Sequence, residues 1–364
     1  MMLNVKSLRV RAVEVPLNKP VEAHIGKFTK WPFICIDIHT NQSIVGRSYI
    51  APYLSEYVSS IISSINALFQ KFIDREINPY QFFKEGMQSI SLLGYKGIAL
   101  YALAALDIAF WDAKAKSAGI PLANYLGGSL KPIKAYNSRG LWLIPLKDIA
   151  KEAEQLIKEG DFKAIKLRIG RESFQEDIEA LNSIKKNLGD SISIMSDFNQ
   201  CYNLPDAIKR CSLLDEMNFY WFEEPIRFDD YDGCSKLSKM FKTPFIIGEN
   251  FHGPVDAKTA LVSNASSMIM PDLMRIGGVS GWLKTAAIAE TFNIPVSTHL
   301  FPEVSAHLMS VTPTADWLEW VDWSNPLLKS EYRVKNGNII IPDVPGVGIE
   351  WNEENLEKYS LQID

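Results

Sequence analysis

Three acidic residues stand at equal intervals along this chain. They are Asp197, Glu223 and Glu249, and 223−197 and 249−223 both give 26. Each closes a short apolar run (SISIMSD, FYWFE, TPFIIGE), and turn formers follow. Clustered carboxylates repel one another, and a hard divalent cation relieves the repulsion. All-oxygen ligands suit Mg²⁺, with Mn²⁺ as the alternative. A zinc site would ask for nearby His or Cys, and only His252 and His299 are candidates. For one such carboxylate, capping a helix or pairing with a surface Lys is the plainer explanation. Three at equal spacing on buried-type runs point instead to one metal centre.

Other apolar runs end in polar residues too. In order these are Lys166 and Arg168, Asp197 and Asn199, Glu223, Glu249, Asp272, His299 and Glu319. Residues two apart on a strand share a face, so Lys166 and Arg168 point the same way, as do Asp197 and Asn199. His299 is one of five histidines, and Asp272 on the preceding run can orient it and raise its basicity. The alternative for His299 is a histidine satisfied inside the core. Glu319 sits in WLEW, where burial raises a carboxyl pKa and makes a protonated donor conceivable; otherwise it is a buried Glu paired with a cation. Lys166 could equally be structural, although an unpaired Lys in a barrel interior is costly. The set suits removal of a proton α to a carboxylate: a base beside the carbon, and a metal, a cation and a donor for the enediolate charge.

The elements that must position these residues alternate. From Ile133 to Val321 eight strand candidates are interleaved with amphipathic helices such as KDIAKEAEQLIKEG, and antiparallel turn chemistry is missing. That means a parallel sheet. An open doubly wound sheet is the alternative, but strand-end polar residues continue past the middle of the series, which favours a closed barrel with one central site. Residues 1–128 read differently: an edge strand over 3–15, a loop from Pro16 to Pro32, a hairpin through TNQS, helices near 54–72 and 79–92, and a buried helix from Gly97 to Ala118. The expected division is an α+β domain over 1–128, a barrel over 129–321, and a Gly/Pro-punctuated segment over 322–364 that packs back on the first domain.

Composition excludes several function classes. The net charge of −5 leaves no electrostatic footprint for nucleic acid or an anionic membrane. No run approaches the length of a membrane span, and the first residues lack a signal-peptide core. Cys35, Cys201, Cys211 and Cys234 are far apart with no CxxC, which suggests a reducing compartment and a cytoplasmic protein. The sequons at Asn41 and Asn264 are then chance matches.

Over nearly its whole length the sequence resembles the mandelate racemase subgroup of the enolase superfamily. The motifs that carry the resemblance are WFEEP, MPDLMRIGGVSGW, STHLFPEVSAHLMSVTPTADWLEW and IPDVPGVGIEW. It implies an α+β capping domain over a modified (β/α)₇β barrel. It also implies Mg²⁺ on Asp197, Glu223 and Glu249, a dyad of Asp272 with His299 as general acid/base, and Glu319 hydrogen-bonded to the substrate carboxylate. Asn199 matches a substrate-contacting position, and Lys166 the first Lys of a K-x-K motif. His24, Trp31 and Tyr53 are expected to set specificity, with the loop from Pro16 to Pro32 covering a small hydroxy-carboxylate substrate. A homo-oligomer, often an octamer, is implied as well. One position departs: the second Lys of K-x-K is Arg168, and a guanidinium with a pKa above about 12 is hard to use as a neutral base. Dehydration of a sugar acid is therefore expected ahead of racemisation or epimerisation of a 2-hydroxy acid, then cycloisomerisation. A metal-binding protein without activity is the reading from a different class.

Overall fold

The computed structural model describes residues 2–363. The N-terminal unit is a three-stranded antiparallel sheet, β1 (Val5–Ala23), β2 (Gly26–Thr40) and β3 (Val45–Ile50), backed by α1 (Val58–Phe69), α2 (Pro79–Ile90) and α3 (Ile98–Ser117). Helix α3 is apolar around most of its circumference and is buried accordingly, since α1, α2 and β3 all pack on it. Gly46 permits the contact with β3, because a Cβ there would lie 2.2 Å from the Ala109 carbonyl oxygen.

One expectation is overturned here. Residues 16–32 are not a loop: the two arms pair as strands up to a turn at His24 and Ile25, with a register shift between Pro16 and Val21. Prolines suggested a loop, but β1 is the edge of the sheet, where a missing N–H is tolerated. The hairpin is long enough for its tip to dock on the barrel, where Leu143 N donates to the Glu22 carbonyl at 2.8 Å.

The barrel begins after α4 (Leu122–Tyr125). Its strands β4 (Ile133–Asn137), β5 (Ala164–Arg168), β6 (Ser193–Asp197), β7 (Phe222–Glu223), β8 (Phe245–Ile247) and β9 (Met268–Ile269) pair in parallel and in chain order. Bridges from Ile269 to Val296 and from Asp272 to His299 add the stretch 296–299 as the seventh position. The last strand, β10 (Leu318–Trp320), pairs with β4 and closes the ring. Seven helices connect the eight positions: α5 (Leu146–Lys158), α6 (Phe174–Leu188), α7 (Leu204–Leu214), α8 (Tyr231–Met240), α9 (Pro254–Val262), α10 (Gly278–Thr291) and α11 (Pro302–Met309). The architecture is a (β/α)₇β barrel under an α+β cap.

Local chemistry fixes the ends of these helices. Ser173 and Glu176 form a capping box at α6, and the Asn203 side chain accepts from Asp206 N at 2.9 Å at α7. The barrel interior is plugged by Tyr136, Met195, Trp221, Ile246 and Met270, all fully buried. The last residues tie the two units together. A short hairpin, β11 (Val334–Lys335) and β12 (Asn338–Ile339), pairs with β4. Beyond it Trp351 Nε1 donates to Asp37 Oδ1 at 2.8 Å, α12 (Glu353–Lys358) follows, and Leu361 N donates to the Ala12 carbonyl at 2.9 Å. No helix among the described residues is long and apolar enough to cross a membrane.

Candidate active site

Asp197 ends β6 and Glu223 ends β7, while Glu249 lies two residues past β8. One oxygen of each falls within 4.8 Å of the others, and no further His, Cys, Asp or Glu joins the group among the described residues. Such a compact, mostly buried triad of oxygens fits a hard octahedral ion that keeps water or substrate in its other positions. From below, Trp221 Nε1 donates to Glu223 Oε2 at 3.2 Å, so the plug holds one of the three in place. His252 is not part of the centre; it faces the Tyr101 hydroxyl at 3.2 Å.

Lys166 is not unpaired. Its Nζ lies 2.8 Å from Glu319 Oε1, 3.0 Å from Glu223 Oε1 and 3.6 Å from Asp197 Oδ2. Burial works against its charge, but Glu223 and Glu319 outweigh it and hold the ammonium above its ordinary pKa. Of the two readings given for Glu319, the buried carboxylate paired with a cation is the one the contacts fit. Burial pushes its carboxyl up, yet Lys166 and His299 outweigh burial and the group lies well below the ordinary range, so it is an ionised acceptor. Leu300 N donates to its other oxygen at 2.8 Å. Leu300 and Phe301 both adopt φ of 52°, a strained conformation that follows His299 directly and turns that N–H onto Glu319. Glu223, by contrast, is raised by burial and by Asp197.

His299 sits across the triad. Its Nδ1 is 2.9 Å from Asp272 Oδ2, which fixes the ring and leaves Nε2 as the working nitrogen, 3.3 Å from Glu249 Oε2. Burial lowers its pKa, but Glu249, Glu319 and Asp272 together raise it to about 9. Opposite stands Arg168. Its guanidinium lies 3.8 Å above the Trp142 ring and donates to the Ser138 carbonyl at 3.3 Å and to Ser138 Oγ at 3.1 Å. Its Nε is 3.6 Å from Asp197 Oδ2.

The remaining candidates divide. Asn199 does not continue the β6 alternation. With φ of 45° it folds back, its N and Nδ2 donating to the two Asp197 oxygens at 2.8 and 3.1 Å. Trp31 is buried beside Tyr53, ring centroids 5.2 Å apart, and the Tyr53 ring stacks with Arg275 at 4.5 Å. His24 is exposed at the hairpin tip. Sequence reasoning missed Ser138, Trp142, Trp323 and Arg275, and it gave no role to Glu224 and Asn250 at the ends of their apolar runs. Arg275 Nη1 donates to the Glu249 carbonyl at 2.9 Å and to Asn250 Oδ1 at 2.8 Å, and its backbone N to Asp272 Oδ1 at 2.9 Å. Asn250 in turn donates to Glu224 Oε2 at 2.8 Å. Arg275 was within reach, three residues after Asp272; Trp142 lies in a loop with no period to reveal it.

Comparison with known proteins places this geometry. Residues 148–355 match the enolase C-terminal domain-like model, and residues 5–127 match the mandelate racemase / muconate lactonizing enzyme N-terminal domain. An L-talarate/galactarate dehydratase of Salmonella typhimurium is 33% identical over 263 residues, 72% of this chain and 66% of that protein. An enolase from alpha proteobacterium bal199, solved with bound magnesium, superposes with a TM-score of 0.97 at 39% identity, covering 99% of this chain and 100% of that one. An enolase from Bradyrhizobium, in complex with magnesium and mandelic acid, gives 0.95 at 32% identity over 100% and 99%.

Proposed function

The chain belongs to the mandelate racemase / muconate lactonizing enzyme family of the enolase superfamily, and from that premise we propose that it dehydrates a 2,3-dihydroxy acid of the sugar-acid class, an aldonate or an aldarate, with magnesium held by Asp197, Glu223 and Glu249. The observation that carries the reading is the asymmetry about the triad. One flank offers an imidazole nitrogen aligned by Asp272. The other offers a guanidinium stacked on Trp142 and bonded to Ser138, a group whose chemistry suits binding an oxygen rather than taking a proton. One acid/base on one face suits elimination, whereas inversion at C2 needs a base on each face.

Magnesium supplies positive charge against which the second negative charge of the deprotonated acid is stabilised. His299 Nε2 takes the C2 proton. The electron pair left on C2 forms the C2–C3 double bond and expels the 3-hydroxyl, which leaves as water with the proton that His299 now carries. The enol then moves its hydroxyl proton to C3, giving a 2-keto-3-deoxy acid. Lys166 donates to the substrate carboxylate and balances its charge, and Glu319 holds Lys166 in place. The reaction of the Salmonella relative supports this class of chemistry. Racemisation of a 2-hydroxy acid is the second reading, favoured by the mandelic acid bound to the Bradyrhizobium neighbour. Screening a sugar-acid library with Mg²⁺ for 2-keto-3-deoxy products separates them. Turnover of a chiral 2-hydroxy acid, with no product from any aldonate or aldarate, refutes dehydration.

A further inference from the structure

The three metal ligands are not held alike. Asp197 and Glu223 end their strands and pair within the ladder, Asp197 with Arg168 and Glu223, and Glu223 also with Ile246. Glu249 lies beyond β8, after Gly248 at φ of 141°, and takes no part in the strand pairing among the described residues. Its backbone is held from the next strand end, by Arg275. Nη1 of Arg275 donates to the Glu249 carbonyl at 2.9 Å and to Asn250 Oδ1 at 2.8 Å, and the Arg275 carbonyl accepts from Gly253 N at 3.0 Å. One residue thus straps down both ends of the loop 249–253. The N–H of the same residue donates to Asp272 Oδ1 at 2.9 Å, and the other Asp272 oxygen holds His299.

The cap holds Arg275 in turn. The guanidinium carbon lies 4.5 Å from the centre of the Tyr53 ring. Nε is buried with no acceptor among the described residues, so the Nη1 bonds and the ring are what place the fork. Tyr53 has φ of 66°, an uncommon conformation for an aromatic residue, and such backbone persists only where its surroundings over-determine it. Tyr101 of α3 faces the far end of the same loop: its hydroxyl is 3.2 Å from His252 Nε2, and its ring stacks on that imidazole at 5.9 Å. Past Arg275 the chain stays against the cap, since a Cβ on Gly277 would lie 3.2 Å from the Phe83 ring. Both acceptors of Nη1 are neutral groups, a carbonyl and an amide oxygen, so these bonds serve geometry rather than charge pairing.

We infer that Arg275 is a positioning residue that joins the Glu249 ligand loop and the Asp272–His299 dyad into one unit, with Tyr53 of the cap holding the joint. Metal binding and alignment of the base are then one event. An ion that fixes Glu249 also fixes Arg275, and with it the N–H that orients Asp272. Removing the guanidinium has two effects of opposite sign. Loss of a cation near the triad favours a divalent ion. Loss of the bonds that place Glu249 disfavours it, because a ligand that must be ordered on binding costs affinity. The inference rests on the metal placement in the reading above, but not on which acid is turned over.

The test uses Mg²⁺ alone as the probe. Isothermal titration calorimetry gives its affinity, and hydrogen exchange of the wild-type protein with and without the ion gives the coupling. Arg275→Met is expected to bind Mg²⁺ at least about tenfold more weakly than wild type, the scale of one lost charge-assisted hydrogen bond. Arg275→Lys keeps the charge without the fork and should fall between the two. In wild type, Mg²⁺ should slow exchange at Gly253 N–H and, together with it, at the N–H groups of Arg275 and Ile276, which donate to Asp272 at 2.9 and 2.8 Å. No metal ligand lies in that second segment, and the exchange experiment needs no variant to fold. A sugar-acid screen that yields no product removes the dehydration reading and leaves this inference in place. Three results overturn it: Arg275→Met binding Mg²⁺ as tightly as wild type or tighter, as a role in charge alone would give; slowing at Gly253 without slowing at Arg275 and Ile276; or no Mg²⁺ binding by the wild-type protein.

Discussion

Replacing Lys166 with Met should turn the metal centre from a pre-paired cluster into an unpaired one. Three carboxylate oxygens lie between 2.8 and 3.6 Å from Nζ, and Lys166 is 1% exposed. At an effective dielectric of about 20, each contact is worth roughly 5 kcal/mol of gross attraction. Desolvation of the ions and repulsion among the carboxylates cancel most of that sum. Removing one partner of a buried ion pair costs about 3–5 kcal/mol, and that is the expected loss for the metal-free protein. The carboxylates can replace the missing charge with protons. Glu223 is already raised with Lys166 present, so its folded state holds a proton that the unfolded chain gives up. The penalty should therefore shrink as pH falls from about 8 to 6 and grow as it rises. Magnesium replaces the charge in another way. At about 100 times its dissociation constant a ligand adds about 2.7 kcal/mol, and the extra negative charge should make this gain larger in Lys166→Met than in wild type. The assay is urea unfolding with EDTA and with saturating Mg²⁺ at both pH values. Metal-free Lys166→Met within about 0.5 kcal/mol of wild type at the higher pH, the scatter of a neutral surface change, would refute the charge balance described here.

Two further predictions follow from buried titratable groups. His299→Asn should lower kcat by about 10²–10⁴, the usual contribution of a general base, while Mg²⁺ affinity by calorimetry stays within about threefold because His299 is outside the triad. In the wild-type enzyme kcat/KM should rise with pH as His299 loses its proton, between its ordinary 6.5 and about 9, and the variant's residual activity should lack that limb. Asp107, buried between α3 and α10, accepts from Ser280 N at 2.9 Å. Burial raises it to about 7 against the pull of Ser280. It stays protonated when folded but ionises near pH 4 when unfolded, so stability should fall from about pH 4 to 7 by up to about 4 kcal/mol. Asp107→Asn should flatten that slope in denaturant midpoints taken across the range; an unchanged slope contradicts the assignment.

What could be read from the sequence follows a physical line. Asp197, Glu223, Glu249 and His299 were legible because a parallel strand buried on both faces writes itself as an apolar run, and its polar end residue then stands out. The seventh barrel position, 296–299, was read from the same signal although it makes only isolated bridges. The hairpin arms were hidden because Pro16, Pro20 and Pro32 read as loop formers; Pro16 and Pro20 lie on the edge strand β1, and Pro32 lies on β2 just before its pairing with β3 begins at Ile34. Asn199 does lie beside Asp197, but it gets there through a turn at positive φ rather than by strand alternation. The sign of the Glu319 shift depends on Lys166, which lies 153 positions away (319−166) and approaches only when β10 closes on β4. The rings of Trp31, Tyr53, Trp142 and Trp323 touch in sequence although they come from four separate segments, and no local pattern announces such a set.

The central claim is that a single acid/base, His299, works on one face of the substrate. The most direct test is to run the magnesium-loaded enzyme in D₂O with its best 2,3-dihydroxy acid and to follow substrate and product by proton NMR. The account predicts a 2-keto-3-deoxy acid carrying deuterium at C3, with recovered substrate that keeps its C2 configuration. Recovered substrate inverted and deuterated at C2, without dehydration product, would contradict it.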